Sequence, residues 1–535
     1  MEVMMRKTGM LICTNPSKFV KFIPQIEKRI DTTLYIQFMP KNQIPLFGNH
    51  ESSLTLLRGP KFSSTVQQLY KNCVCLNMDV QVLLGGIVGM GNLPKIPTKK
   101  VVEVVYFDVD LNLELMEGFI RNRLVNCAPN CEPVALVDNC DEPRSEADGR
   151  DCDGYDDSDV ACNNVALGGT FDRLHTGHKM LLSEAALMSR KRLLVGLTDV
   201  EMLKSKTLWE LIEPYNDRER KLREFLEDVQ PGLEIEIVPL NDIYGPTKDD
   251  PTLEMLVVSQ ETLKGGQKVN EVRMKNGLNP LTIREIKLVN EEIRCWELEE
   301  EKISSSNGRL RLLGTLLRNP ENKPHLPPFP YVIGLTGGIA SGKTSVGKRL
   351  AALNAAVIDA DTVAHNIYEK SQPAYSLIVE EFGEKILDDQ TLEIDRKKLG
   401  EIVFSDKEKL EKLNRILWPL ILKKCDELVA KAASEGYKIV VIEASLLVEA
   451  GWDKDCHEVW ACLIPVPEAI KRIQERNKLS LEQATLRVNS QISNSERISR
   501  ANVVLCTLWP PEYTDLQVEK AWEALQKRLP ATPVS

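Results

Sequence analysis

The sequence has little of what membrane, nucleic-acid-binding and disulfide-stabilised proteins require. No apolar run reaches the length of a membrane span, and the stretch VLLGGIVGMG at 82–91 is short and interrupted by glycines. The net charge of −10 leaves no excess of Lys and Arg for wrapping nucleic acid. Thirteen cysteines, an odd number scattered from Cys13 to Cys506, form no disulfide framework, which predicts a reducing compartment. Cys127 and Cys131 are close, but no second Cys/His pair follows at zinc-ligand spacing.

What is present is the composition of a multidomain soluble protein. The 535 residues are 43% hydrophobic and 27% charged, which suits about three or four globular domains. If the ligands are anionic, positive charge must be concentrated locally. The first thirty residues include basic residues such as Arg6 and Lys7, but Glu2 and Glu27 weaken the resemblance to a transit peptide. Import into mitochondria, to the matrix or to a membrane surface, therefore stays open beside a cytoplasmic location.

The first region, residues 1–137, alternates apolar strand candidates with helix-like segments such as Leu111–Asn126. It predicts an α/β region without recognisable chemistry, which is expected to be non-catalytic or regulatory and leaves protein partners open. Residues 138–162 are dense in Asp and Glu and cannot bury apolar surface. They are predicted to be a disordered acidic linker, with a regulatory tail as the alternative.

Residues 163–318 show a repeated strand-helix pattern. Helices are predicted over Lys179–Lys191 and Tyr215–Asp228, and a charged helical stretch over Ile283–Lys302. Such repeats indicate a parallel, doubly wound sheet with ligands at the carboxyl ends of its strands. A proline-rich linker at 319–330 then leads to another α/β domain.

The domain at 331–535 opens with the stretch YVIGLTGGIASGKTS, where an apolar strand runs into glycines and then into a helix. Its G-x-x-x-x-G-K-T spacing is that of a phosphate loop, whose backbone N–H groups surround phosphate oxygens. Lys343 would add charge for the β- and γ-phosphates, and the Thr344 hydroxyl would bind Mg²⁺. A chance glycine-rich turn is the alternative. The predicted ATP-binding residues of the loop are Gly337, Gly338, Ile339, Ala340, Ser341, Gly342, Lys343 and Thr344.

Two carboxylates follow the next predicted strand, AVID, at Asp359 and Asp361. At the carboxyl end of a strand they face the nucleotide side of such a sheet. One could take a proton from an attacking hydroxyl while the other steers a metal-bound water. Alternatively, both could simply cap the following helix.

The middle domain carries a second phosphate-binding pattern, GTFD followed by HTGH. His175 and His178 flank a turn through Gly177 at the start of a predicted helix, after a strand. Histidines in this place can donate to phosphate oxygens alongside the positive end of the helix dipole. A histidine that merely caps the helix is the alternative.

The GTFD and HTGH arrangement resembles the nucleotidyltransferase superfamily, whose members transfer an adenylyl or cytidylyl group from a nucleotide. Its second signature, I-S-S-T-x-x-R, is matched by ISSSNGR at 303–309, with serine in place of threonine. Without the resemblance, these serines could be a helix cap or a phosphorylatable loop. The resemblance implies that His175 and His178 are catalytic. It further implies ATP contacts by Gly169, Thr170, Phe171, Ser304, Ser305, Ser306 and Arg309.

Further stretches narrow the acceptor. The segment 256–262 with Gly265 and Gly266 looks like the eukaryotic-type phosphopantetheine adenylyltransferases, which join ATP to 4′-phosphopantetheine. Lys204 and Lys206 could bring positive charge to an anionic acceptor, although a solvated lysine pair is the alternative.

The last domain resembles dephospho-coenzyme A kinase, through its phosphate loop, its DAD segment and later stretches such as IDR at 394–396. This resemblance implies that Asp361 is the base for a ribose 3′-hydroxyl. It also implies that Arg396 binds substrate and that Arg476, which follows Arg472 before a lid, helps to close over phosphates. Trp418 stands where the family usually has histidine and is assigned no chemistry. The role of Glu443 stays open.

Together the two domains resemble the bifunctional coenzyme A synthases of animals. The resemblance implies a Rossmann-like nucleotidyltransferase domain plus a P-loop kinase domain, which follow an additional N-terminal α/β region in the chain. The expected substrates are 4′-phosphopantetheine, dephospho-coenzyme A and ATP, with Mg²⁺. A nicotinamide mononucleotide adenylyltransferase fused to a ribosylnicotinamide kinase is the enzymatic alternative. A scaffold that only binds nucleotides is the non-enzymatic one.

Overall fold

The computed structural model describes residues 7–39, 62–74, 76–85, 95–136, 161–404 and 406–529. The chain divides into two compact units, Met1–Gly308 and Arg309–Ser535. The described residues form three five-stranded sheets, and every strand pairing in them is parallel. The predicted α/β fold class is therefore confirmed. The predicted domain boundaries stay predictions, and the acidic linker lies almost entirely outside the described residues.

The first sheet belongs to the N-terminal region and has the strand order β3-β2-β1-β4-β5. Its inner strands β1 and β2 are buried along their whole length, which agrees with their mostly apolar sequences. Its strands are β1 (Thr8–Cys13), β2 (Thr33–Phe38), β3 (Asp79–Leu83), β4 (Val102–Phe107) and β5 (Cys127–Ala135). Its helices are α1 (Phe19–Glu27), α2 (Ser63–Lys71) and α3 (Leu113–Arg123).

The second sheet has the order β10-β9-β6-β7-β8. Its strands are β6 (Cys162–Gly169), β7 (Ser189–Thr198), β8 (Glu234–Leu240), β9 (Met255–Ser259) and β10 (Thr282–Ile286). The accompanying helices are α4 (Thr176–Met188), α5 (Val200–Leu203), α6 (Tyr215–Val229), α7 (Leu263–Lys275) and α8 (Ser305–Leu312). Numbered within each sheet, the first and second sheets have the same order, 3-2-1-4-5. The order reverses between β6 and β9, which is where open α/β sheets bind ligands.

The third sheet has the order β12-β13-β11-β14-β15, with the phosphate-loop strand β11 in the centre. Its strands are β11 (Tyr331–Gly337), β12 (Ala356–Asp359), β13 (Ile439–Glu443), β14 (Glu458–Leu463) and β15 (Val503–Cys506). Its helices are α9 (Lys343–Ala352), α10 (Ala360–Asn366), α11 (Pro373–Phe382), α12 (Arg396–Phe404), α13 (Lys407–Ser434), α14 (Val466–Asn477), α15 (Leu481–Asn489), α16 (Asn494–Arg500) and α17 (Pro511–Arg528).

Two predicted helices differ from the structure. The helix predicted over Lys179–Lys191 begins earlier, at Thr176, because His175 caps it, and residues 189–191 already belong to β7. The helix predicted over Ile283–Lys302 is wrong. Its first residues form β10, which pairs with β9, and Asn290 then forms an isolated bridge with Lys302. Strand pairing therefore outweighs the helix propensity of this charged stretch.

Among the helices of the described residues, none combines the length and the apolar character that crossing a membrane requires.

Candidate active sites

The strand-to-helix turn after β6 places the GTFD residues beneath the start of α4. Phe171 adopts a left-handed backbone with φ 47°, and its ring is buried. That ring lies so close to Gly169 that a Cβ there would be 3.0 Å from it, so any larger residue would press on the ring. The Phe171 ring also meets the His178 ring edge-on, with 5.3 Å between centroids. The turn thus supports one of the two predicted catalytic histidines.

The two histidines stack on each other at the N-terminus of α4. Their ring centroids are 3.8 Å apart at an interplanar angle of 21°. His175 is the N-cap of the helix, since its Nδ1 accepts a hydrogen bond from the His178 backbone N–H at 3.4 Å. A neutral His175 therefore carries its proton on Nε2, which lies 3.5 Å from Ser305 Oγ. The capping interpretation is thus correct for His175 but does not exclude a role in chemistry.

Both imidazoles are neutral at pH 7 in the free protein. Burial lowers the pKa of His175 to about 4, against a smaller raising effect of Asp172. Burial also lowers the pKa of His178 well below its usual value, and His175, when it is protonated, and Lys206 act in the same direction. Nδ1 of His178 is buried without a hydrogen-bond partner among the described residues. Such an unpaired atom is costly, and a bound ligand would remove the cost.

The serines of the ISSS segment lie at the same site. Ser305 Oγ donates to the Asp172 carbonyl oxygen at 3.1 Å, and Ser304 Oγ accepts from the Asn307 N–H at 3.2 Å. Ser306 and Arg309 follow on α8, and Arg309 is buried. The structure therefore brings Ser305 next to His175, while Ser304 has the helix-capping contact that its residue type predicts.

The two predicted lysines differ in their surroundings. The Lys204 ammonium is exposed and paired with Glu201 at 2.7 Å. Lys206 lies close enough to His178 for its charge to act on the pKa of that imidazole. Lys206 is therefore the better placed of the two to add positive charge near the histidines.

Sequence reasoning missed Arg218, a fully buried arginine on α6. Its guanidinium donates to the carbonyl oxygens of Thr170 at 2.8 Å, Thr198 at 3.0 Å and Glu213 at 2.9 Å. It thereby joins the ends of β6 and β7 and orients the predicted ATP-binding Thr170. In the sequence, Arg218 is one of several charged residues on an amphipathic helix, and such residues usually lie on the solvated surface.

The phosphate loop connects β11 to α9 with the expected backbone. Ala340 and Gly342 have φ values of 62° and 80°, so the turn depends on left-handed conformations. A Cβ at Gly342 would lie 2.8 Å from Thr507 Oγ1, and that hydroxyl donates to the Ser341 carbonyl oxygen at 2.8 Å. Lys343 follows as the first residue of α9 and is buried. Thr507, which lies far along the chain from the loop, therefore packs against it and hydrogen-bonds to it.

One distant side chain hydrogen-bonds to this loop and an ion pair lies beside it, and sequence reasoning assigned no role to these residues. Gln491 Oε1 accepts from the Ile339 N–H at 2.7 Å. Arg497 is buried, pairs with Glu449 at 3.2 Å, and would lie 3.5 Å from a Cβ at Gly338. Because these residues lie more than 100 positions from the loop in the sequence, no local spacing could have revealed them.

The two carboxylates after β12 have separate roles. Asp359 caps α10, because it accepts from the Thr362 N–H at 3.0 Å and from the Thr362 hydroxyl at 2.7 Å. Asp361 lies in the first turn of α10 and accepts from Ser445 Oγ at 2.9 Å. The capping interpretation therefore applies to Asp359, and Asp361 as a proton acceptor stays a prediction.

Glu443 lies at the end of β13, directly beside Asp359 in the pairing of β12 with β13. It is buried and accepts a hydrogen bond of 2.6 Å from Thr344 Oγ1. A hydroxyl and a carboxylate next to the loop are the oxygen ligands that Mg²⁺ takes together with substrate phosphates. Among the described residues, no group of three or more His, Cys, Asp or Glu side chains forms a metal site without substrate.

The two predicted arginines lie on different elements. Arg396 donates to the His365 carbonyl oxygen at 3.2 Å, and its guanidinium lies over the Tyr368 ring at 5.6 Å. It is therefore tied to the helix that carries Asp361. Arg476 is exposed near the end of α14, where it donates to Asn477 at 3.0 Å. On the same helix, Arg472 donates to the Ala340 carbonyl oxygen at 3.4 Å, so it contacts the phosphate loop directly.

Comparison with known proteins separates the two regions. A family model described as dephospho-CoA kinase matches residues 331–507, and one described as cytidylyltransferase-like matches residues 166–311. A dephospho-CoA kinase of Thermobifida fusca is 41% identical over 197 residues, which are 37% of this chain and 97% of that protein. A phosphopantetheine adenylyltransferase of Saccharomyces cerevisiae is 44% identical over 150 residues, which are 28% of this chain and 48% of that protein.

Among solved structures, a dephospho-CoA kinase from Campylobacter jejuni is 30% identical. The match covers 37% of this chain and 97% of that one, with a TM-score of 0.30. The sequence relatives favour the coenzyme A resemblance over the nicotinamide alternative. The chain therefore belongs to the dephospho-CoA kinase family, and the cytidylyltransferase-like domain ahead of its kinase domain gives it the domain pair of a bifunctional coenzyme A synthase.

Proposed function

We propose that this protein carries out the last two steps of coenzyme A biosynthesis at the two sites described above. In the first step, a phosphate oxygen of 4′-phosphopantetheine attacks the α-phosphorus of ATP. The bond to the β-phosphate breaks, pyrophosphate leaves, and dephospho-coenzyme A is formed. In the second step, the ribose 3′-hydroxyl of that product attacks the γ-phosphorus of a second ATP, which gives coenzyme A and ADP.

For the first step, we assign charge stabilisation to the neutral histidine pair. His175 and His178 present N–H donors at the positive end of α4, a helix of 13 residues. Hydrogen bonds from fixed donors to the phosphate oxygens stabilise the charge that develops in transfer, and no covalent enzyme intermediate is needed. Ser305 and Lys206 add a hydroxyl and a cation at the same place.

For the second step, Asp361 accepts the proton of the 3′-hydroxyl while the loop from Gly337 to Thr344 holds the γ-phosphate. Lys343 adds its positive charge at the start of α9. Thr344 and Glu443 would hold Mg²⁺, which, when bound with ATP, neutralises charge on the β- and γ-phosphates. Arg472 and Arg476 are placed on α14 to act on phosphates or to position the loop.

The observation that carries this proposal is the presence, in one chain, of a stacked HxGH site and of a phosphate loop whose own sheet also carries Asp361 after its strand β12. A scaffold that only binds nucleotides would not require a carboxylate placed for proton transfer. The test is to incubate the full chain with 4′-phosphopantetheine, ATP and Mg²⁺ and to analyse the products by mass spectrometry. Coenzyme A is the expected product. If neither dephospho-coenzyme A nor coenzyme A were formed, the proposal would be wrong.

For the location, we expect the cytoplasm, with mitochondria as the second compartment. In support, ten cysteines of the described residues are free thiols, as in a reducing compartment. Fractionation of cells that express the tagged full chain would show which compartments contain it.

A further inference from the structure

The helix that carries the histidine pair is also the helix against which the N-terminal domain packs. Lys179 follows His178 directly, and its backbone N–H donates to the His175 carbonyl oxygen at 3.0 Å. Its side chain is buried and extends to β3 of the first sheet. There its ammonium donates to the Asp79 carboxylate and, at 2.8 Å, to the Val80 carbonyl oxygen. Lys179 therefore connects the first turn of α4 both to His175 and to the N-terminal sheet.

Further polar contacts follow along α4 from α2 of the N-terminal domain, including one from Gln67 to Glu184 at 3.3 Å. Ser183 shares a hydrogen bond of 3.2 Å with the Tyr70 hydroxyl, and Glu184 accepts one of 2.6 Å from Ser63 Oγ. Ser63, Tyr70, Ser183 and Glu184 are all buried. Hydrogen bonds between buried groups fix geometry strongly, because an unmade bond leaves a desolvated polar atom. The N-terminal domain therefore determines how α4 lies over more than one turn.

The ion pair is asymmetric in a way that makes it testable. The Asp79 side chain is 35% exposed and that of Lys179 only 8%. Burial opposes ionisation of Asp79, but the Lys179 ammonium outweighs it and lowers the pKa of the carboxyl to about 2. If Asp79 were removed, a buried cation would remain without its partner. If Lys179 were removed, the remaining carboxylate could still be solvated.

The N-terminal sheet has the same strand order as the second sheet, here called the transferase sheet. However, a side chain of the chain itself occupies the turn after its first strand, β1. After β1, the N–H groups of Thr14 and Asn15 donate to the Asp108 carboxylate at 2.7 and 2.9 Å, and the Thr14 hydroxyl donates at 2.8 Å. In the transferase sheet, the corresponding turn carries the nucleotide-binding residues. The groups that would receive a phosphate in the first sheet are thus occupied by a residue of the chain itself.

We propose that the N-terminal domain is a positioning element of the adenylyl-transfer site, in which Asp79 and Lys179 fix the first turn of α4 and thereby the stacked histidines. The inference rests on the proposed function of that site. It assigns the domain a role in the first step and none in the kinase step. Neither Asp79 nor Lys179 is a catalytic residue, since both act through the helix.

The experiment uses the full chain and follows both steps separately, with 4′-phosphopantetheine or dephospho-coenzyme A as the acceptor. Lys179→Met removes the anchor without leaving an unpaired cation, and we expect kcat of the first step to fall about 10- to 100-fold, because small displacements of reacting groups cost this much. KM should stay within about twofold, since most substrate contacts remain. Lys179→Arg keeps the ion pair and should restore most of kcat. Glu227→Gln is the matched control, because it removes the exposed Lys99–Glu227 pair between the same two domains.

A double variant distinguishes positioning from mere stabilisation. Asp79→Asn alone should lower both kcat and the unfolding temperature, the latter by about 5–10 °C, because Lys179 is left unpaired. Adding Lys179→Met should restore the unfolding temperature but leave kcat low. A kcat that recovered together with the unfolding temperature, or a Lys179→Met variant with wild-type kcat, would overturn the inference. If the unmodified chain made no dephospho-coenzyme A, the proposed function itself would fail, which is a separate result.

Discussion

The two active sites solve the same problem, the handling of nucleotide phosphates, with different physical means. At the first site, two buried imidazoles lie at a helix N-terminus, where we propose that they act through hydrogen bonds. At the second, a glycine-rich loop is followed by Lys343, and Thr344 donates a hydrogen bond to Glu443; we propose that these two oxygen-bearing side chains would hold Mg²⁺. In the proposed mechanism, the first site therefore depends mainly on orientation and the second mainly on charge. We expect the variants of the two sites to differ accordingly.

The largest effect is expected for Lys343→Ala. This change removes a positive charge from the transferring phosphate, and groups of this kind are worth about 10³- to 10⁵-fold in phosphoryl transfer. The kinase step should fall by this factor while the first step stays within about twofold, so dephospho-coenzyme A accumulates. Product ratios from mass spectrometry give the measurement. Lys348→Ala, an exposed lysine on the same helix, is the control, and an equal loss of the first step would show that the two sites are not independent.

A smaller loss is expected for Asp361→Asn. Without the carboxylate, the proposed acceptor for the proton of the 3′-hydroxyl is lost, and general bases contribute about 10²- to 10⁴-fold. The kinase rate with dephospho-coenzyme A is the quantity to measure. Asp359→Asn is the matched control, because asparagine also caps helices well and should change the rate little. Equal losses in the two variants would contradict the division of roles between the two aspartates.

The first site should respond less strongly to loss of one donor. His178→Ala removes one of the hydrogen bonds to the developing charge, which costs about 10²- to 10³-fold in comparable sites. Pyrophosphate release from ATP and 4′-phosphopantetheine should fall by this factor. Phosphorylation of added dephospho-coenzyme A by the same sample should be unchanged. A variant that kept its first-step rate would exclude His178 from the chemistry.

The smallest effect concerns stability and pH. Because burial holds the pKa of His175 near 4, below an unfolded value of about 6.5, the unfolded chain binds more protons between these two values. Stability from this group is complete above pH 6.5 and is lost as the pH falls towards 4, by about 2 kcal/mol between pH 7 and pH 5. Denaturant unfolding at both pH values measures the loss. The His175→Gln variant should lose less stability over the same range, and an equal loss would contradict the assignment.

How much of these sites the sequence predicts depends on how far apart their parts lie in the chain. Local patterns predict the HTGH turn and the phosphate loop, because a strand, a glycine turn and a helix follow each other directly. The residues that hold those turns, such as Arg218 and Gln491, come from distant segments and carry no motif of their own. The ambiguity between Asp359 and Asp361 could be resolved only by their hydrogen-bond partners. The same reason explains the wrong helix after Ile283, whose first residues are held as a strand by β9.

The closed turn of the N-terminal sheet has a consequence for the catalytic cycle. An anion that belongs to the chain has a fixed, high effective concentration, whereas a phosphate ligand stabilises its site only while it is bound. Asp108 therefore keeps the turn after β1 in one conformation whether or not nucleotide is present. The transferase domain exchanges ATP, pyrophosphate and product at every turnover. In the proposal above, the N-terminal domain supports the histidines through Lys179, and because its own turn is held by Asp108, this support does not depend on which substrate is bound.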